Sequence, residues 1–252
     1  MFRGIYTALS GMGVQQARLD VTTNNLANIS TSGFKGEQVI SKPFGEVLLG
    51  HQSPTVKGIN PVGTTNLGSV VSRVEINAQQ GQLVNTGNFR DLALVGPGYY
   101  VVEAGGQGGR ELYTRDSSFG VDSEGYLVNS QGDRVLSLRG PVLVGNDEFT
   151  VDDKGTLTAG DGQQYQLRIV EFDDINRLQK VGNNYFAQGQ AQALAADNTG
   201  TRQGYVERSN VDLVKEMTNL IEVMRSYEAG QRLLQTHDEL LGKAVNQVGS
   251  LR

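Results

Sequence analysis

LVKEMTNLIEVMRSYEAGQRLLQTHDELLGKAVNQV, residues Leu213 to Val248, carries the longest run of apolar side chains that return on one helical schedule. Leu213, Met217, Leu220, Met224, Tyr227, Gln231, Leu234, Asp238, Leu241, Val245 and Val248 follow one another in alternating steps of four and three. A mean step of about 3.5 residues is the seam of a coiled coil, because it keeps one face turned toward a partner. The spacing predicts a C-terminal helix within 206–252. Ser209, with Asp212 three residues on, reads as a capping box that starts it. Ile221, Leu233, Leu240 and Ala244 widen the stripe beyond a single seam, while Gly230 and Gly242 weaken it as an isolated helix.

The other end of the chain repeats the schedule. Phe2, Ile5, Leu9, Met12, Gln16, Leu19, Thr23 and Leu26 again alternate by three and four. This predicts a helix within 1–33 that ends between Asn28 and Ser32, where polar residues precede Gly33. Two stripes of the same period at opposite ends favour pairing with each other. A single pair leaves apolar surface wet, and further chains are the natural cover. The seam residues Ile5, Leu9, Met12, Leu19, Leu26, Leu213, Met217, Leu220, Met224, Tyr227, Leu234, Leu241, Val245 and Val248 are therefore the candidate assembly surface.

Between the helices the pattern changes. Residues 34–80 read as an extended, irregular linking segment broken by Pro54 and Pro61. Residues 81–205 read as a β domain, with ten strand candidates between Val70 and Phe172. Asp122-Ser-Glu-Gly125, Asn129-Ser-Gln-Gly132 and Asp152-Asp-Lys-Gly155 each place Asp or Asn first and Gly fourth. That is a type I turn whose glycine takes the left-handed position of a hairpin, so Gly125, Gly132 and Gly155 are assigned as turn glycines. The expected fold is a small antiparallel sandwich or barrel, plus paired terminal helices in a coiled-coil-like region.

Composition narrows the function. Of 252 residues, 33 are glycine and none is cysteine, so disulfides and thiolate chemistry are excluded. Lys+Arg 22 against Asp+Glu 27 gives a net charge of −5, the wrong sign for a nucleic-acid surface. His51 and His237 are the only histidines and read as surface residues, so no metal cluster or other cofactor is expected. No apolar run is long enough to insert in a membrane. Polar Thr7, Ser10, Gln15 and Gln16 interrupt the N-terminal run, so no cleaved signal peptide is expected. Gly105-Gly106-Gln107-Gly108-Gly109 lacks the third glycine of a dinucleotide fingerprint and precedes a strand, so it reads as a hairpin loop. Asp152/Asp153 and Asp173/Asp174 are adjacent pairs in turns or strands, poorly placed for acid–base work. No enzyme is expected.

Four stretches, in order, carry a resemblance. They are Ile5 to Met12 continued by Asp20 to Lys35, Asn85 to Tyr100, Tyr113 to Phe119, and Gln203 to Asp212 followed by Glu216-Met217 and Arg225-Ser226-Tyr227-Glu228. Together they resemble the bacterial flagellar basal-body rod and hook axial proteins, most closely the rod proteins with one β domain, proximal or distal. Arg90 and the Tyr99-Tyr100 pair depart mildly from the usual pattern. The resemblance implies an extracytoplasmic axial subunit of the flagellum basal body, exported unfolded by the flagellar type III apparatus without signal cleavage. Its implied partners are copies of itself, other rod and hook proteins, and the export apparatus. The alternatives are a hook or junction subunit and, less favoured, a peptidoglycan-acting enzyme.

Overall fold

The computed structural model describes residues 2–52, 59–105, 109–145, 148–182, 184–196 and 198–249. The chain divides into two compact units: Met1–Leu26, Glu37–Glu75 and Leu213–Arg252 form the first, and Ala27–Gly36 with Ile76–Asp212 form the second.

The first unit holds the helices α1 (Phe2–Ala27) and α2 (Leu213–Gly249). α2 begins at Leu213, so Ser209 does not cap it; the Ser209 hydroxyl instead accepts from the Val211 N–H in a local turn. Two close approaches set α2 beside α1. A Cβ on Gly4 would stand 3.2 Å from His237 Nε2, and one on Gly230 would stand 2.6 Å from Met12 Cγ. Rising residue numbers on α1 meet falling ones on α2, so the helices run antiparallel there. The rest of this unit is two antiparallel ribbons, Glu37–Pro43 with Ser69–Ile76 and Glu46–Gln52 with Ile59–Asn66. α1 is tied to the first by the Asn25 amide, which donates to the Glu37 carbonyl (2.8 Å) and accepts from its N–H (2.9 Å). The same helix receives the Ser69 N–H on Ser10 Oγ at 3.2 Å.

The second unit is built on a ten-stranded antiparallel sheet. Its central strand, Tyr99–Ala104, lies between Arg110–Thr114 and Arg134–Ser137. Successive side chains on a strand point to opposite faces, and this strand buries both. Tyr100 and Val102 join one core with Leu112, Leu127 and Val135, while Tyr99 and Val101 join another with Tyr113, Leu136 and Phe186. Leu157, from the three-stranded sheet Thr150–Val151, Thr156–Thr158 and Gln164–Gln166, closes the first core. Leu92 and Leu94 do the same from a ribbon with Gly200–Gln203. Among the described residues the sheet stays open, so the barrel alternative falls.

Gly125, Gly132 and Gly155 stand at φ +89°, +88° and +78°. Each N–H donates back to the carbonyl three residues earlier, on Asp122, Asn129 and Asp152.

Candidate assembly surface

Placed on α2, the apolar positions separate into two sides. Leu220, Tyr227, Leu234 and Leu241 are half-buried, and Val223, Gly230 and His237 continue the same line at steps of three and four. Val223 is the most deeply buried member, and Gly230 and His237 are the residues that meet α1. Leu213, Met217, Met224 and Val245 stay exposed, together with Val214 (74 %) and Ile221 (53 %). On α1, Ile5, Met12, Leu19 and Leu26 are half-buried, whereas Leu9 and Tyr6 (69 %) are exposed. The side chains of Val248 and His51 and the glycine-rich residues 106–108 lie outside the described residues. His237, read as a surface residue, is half-buried against Gly4 instead.

Also in the first unit, a groove of about 570 Å³ opens between α1 and the segment 67–71. Tyr6, Ser10, Gly13, Val14, Phe44 and Val70 are among its walls, and nearly all of that surface is apolar.

The second unit contains a buried ionic hub. Glu207 is 1 % exposed and accepts three hydrogen bonds on its two carboxylate oxygens. Oε1 receives Lys35 Nζ at 2.7 Å and the Gly81 N–H at 2.9 Å. Oε2 receives Arg115 Nε at 3.1 Å and lies 3.0 Å from Arg115 Nη2. The spare donors are also satisfied: Lys35 reaches the Gln79 carbonyl and Arg115 the Gly96 carbonyl. Burial, reinforced by the charge of Arg115, pushes the Lys35 ammonium down to about 8, against the opposing pull of Glu207. Burial likewise raises the neighbouring Tyr99 phenol to about 12. Three residues on from Glu207, the Asn210 amide accepts from the Gly36 N–H and donates to the Asn77 and Gln79 carbonyls. Gly33, at φ +67°, passes so close that a Cβ would stand 1.9 Å from the Arg115 carbonyl oxygen, and its N–H donates to the Glu207 carbonyl. Only glycine fits there.

The chain passes between its two units after Leu26, Gly36, Glu75 and Asp212. The hub's contacts at Lys35, Gly36, Asn77, Gln79, Glu207 and Asn210 lie within a few residues of three of these passages, those after Gly36, Glu75 and Asp212. Sequence reasoning did not gather these residues into a site, although three of the quoted motifs supply Gly33, Lys35, Arg115, Glu207 and Asn210. The motifs at 20–35, 113–119 and 203–212 are far apart in the chain and meet here.

Three of the four paired carboxylates are occupied in building loops. Asp152 accepts from the Thr156 and Lys154 N–H groups, which hold its carboxyl below the usual range. Asp173 accepts from the Gln192 N–H, and Asp174 caps the short helix Ile175–Arg177. Among the described residues no group of three or more His, Asp or Glu side chains is gathered to hold a metal ion. No described helix is long and apolar enough to cross a membrane.

Comparison with known proteins matches the chain in three stretches. The family described as flagella basal body rod protein matches residues 5–35, the flagellar hook protein FlgE/F/G D1 domain matches 93–201, and the flagellar basal body rod FlgEFG protein C-terminal region matches 202–248. Flagellar basal-body rod protein FlgG of Bacillus subtilis is 30% identical over 98% of this chain and 99% of its own length. FlgG of Agrobacterium fabrum is 33% identical over 94% of this chain and 96% of its own. Flagellar basal-body rod protein FlgF of Caulobacter vibrioides is 31% identical over the whole of both chains. With matches that run end to end through the helices, the β unit and all the hub residues, the chain belongs to the flagellar basal-body rod protein family.

Proposed function

We propose that this chain is a structural subunit of the flagellar basal-body rod, which assembles helically through its terminal helices into the hollow shaft that carries torque and passes exported subunits. Its partners are copies of itself and neighbouring rod or hook proteins. It reaches the basal body, outside the cytoplasm, through the flagellar export apparatus as an unfolded chain with its N-terminus uncut. The carrying observation is the outer side of α2, where Val214, Met217, Ile221 and Met224 stand in water. Unpartnered apolar stripes of this kind mark protein interfaces. In the assembled rod α1 and α2 act as a coiled-coil-like pair whose outer sides are covered by other chains.

The test is to tag the chain in cells that make it and locate it in isolated basal bodies. Leu220→Asp and Leu241→Asp place a carboxylate in the half-buried line of α2, and each is expected to abolish incorporation and motility while leaving the melting of the β unit unchanged. A tagged chain absent from basal bodies, with rods intact in its deletion strain, would refute the proposal.

A further inference from the structure

The outer sides of the two helices in the first unit differ in shape. Gly4 and Met12, the α1 residues against α2, point about 180° away from Tyr6, Ser10, Gly13 and Val14, at about 100° per residue. The groove therefore lies on the side of α1 turned from α2, where the chain's own α2 cannot fill it. On α2, Val214, Met217, Ile221 and Met224 lie about 160° from Val223, Gly230 and His237. The helix pair thus carries an apolar concavity on one flank and an apolar ridge on the opposite flank.

We infer that the ridge Val214–Met217–Ile221–Met224 of one copy docks in the Tyr6–Ser10–Val14–Phe44–Val70 groove of the next. This inference rests on the assembly reading above and adds the mating surfaces to it. Three observations select a second copy as the occupant. The lengths match: the ridge spans about 15 Å and the α1 wall of the groove about 12 Å at 1.5 Å per residue. The two areas are comparable as well. The exposed part of the ridge comes to roughly 400 Å² and that of Tyr6, Phe44 and Val70 to roughly 300 Å², so one contact buries roughly 700 Å² in all, under half of a standard interface, and serves as one contact among several around each copy. Two of the four ridge residues are methionine, whose flexible thioether adapts to a groove of irregular outline. A contact between two different surfaces, facing opposite ways on one molecule, is heterologous, and repeated copies extend it into a filament.

The absence of native cysteine gives a clean test. Val70→Cys and Ile221→Cys are introduced together into the full chain, basal bodies are isolated, and a short bis-maleimide is added. The expected result is a ladder of dimers, trimers and longer products in the double variant, with none in either single variant. Phe44→Cys with Met217→Cys supplies a second pair at exposed positions should the first fail to incorporate. Dimers from Ile221→Cys alone mean that the ridge pairs with itself, which overturns the inference. Basal bodies that contain the double variants without any ladder overturn it while leaving the rod assignment standing. Wild-type chain missing from basal bodies overturns the rod assignment itself.

Discussion

Glu207→Gln removes a charge from the hub while keeping the side chain's length, so its effect isolates electrostatics from packing. Glu207 is the anion that Lys35 and Arg115 share, at side-chain exposures of 0% and 2%. The amide can still accept from Gly81, but two buried cations then face each other without a counter-charge. Removing one partner of a buried pair typically costs about 3–5 kcal/mol, because the remaining charge cannot return to water. At roughly 2–4 °C per kcal/mol for a unit of this size, the melting temperature of the β unit should fall by roughly 6–20 °C. Lys35→Met alone should cost less, since Arg115 keeps its carboxylate. Lys35→Met in the Glu207→Gln background should recover part of the loss by removing one orphaned cation. The assay is thermal unfolding at neutral pH, followed by near-ultraviolet circular dichroism across the four-member cycle. A loss below about 1 kcal/mol for Glu207→Gln, a value typical of exposed pairs, or strict additivity in the cycle, would refute the reasoning.

Lys35 titrates near 10.5 when unfolded and near 8 in the hub, so the unfolded chain holds more protons between those values. Stability should therefore rise as pH increases from 8 toward 10 and be lost as it falls back through 8, and Lys35→Met should flatten that slope in urea titrations. Gly125→Val, Gly132→Val and Gly155→Val should each cost roughly 1–3 kcal/mol through strain at positive φ. Gly132 should be the mildest because open space surrounds it, whereas Gly155 also meets Ile169; calorimetry of the three variants checks the order. A fragment spanning 27–212 should melt cooperatively and well above a fragment spanning 81–205, which lacks Lys35 and Glu207; equal melting temperatures would deny the hub its weight. Gly230→Leu should prise α2 from Met12 and expose α1 to protease, which limited digestion reads directly.

What was legible in the sequence was local. The helices announce themselves over many turns, and the Asp/Asn-to-Gly turns carry their own backbone signal within four residues. The phase of α2 was ambiguous because Leu220-Ile221, Val223-Met224, Leu233-Leu234 and Leu240-Leu241 are adjacent apolar pairs, which support either of two faces. Packing decides it: at the equivalent step Gly230 rather than Gln231 admits Met12. Strands beyond Phe172, such as Tyr185–Ala187 and Gly200–Gln203, run only three or four residues. Gly200–Gln203 finds its partner at Leu92–Val95, more than 100 residues away, so no window of sequence contains the pair. Lys35, Arg115 and Glu207 were invisible as a site for the same reason. Each is an ordinary charged residue in its own stretch, and only the fold supplies the burial.

The 172 residues that separate Lys35 from Glu207 also set a clock. At about 5–20 residues per second, a ribosome needs roughly 9–34 s to add the carboxylate after the ammonium. Throughout that interval the cations at 35 and 115 have no reason to leave water, and the passages around them stay open. A nascent chain therefore remains threadable at least until Glu207 is added, and α2, which begins six residues later, is made only after the last charge of the hub.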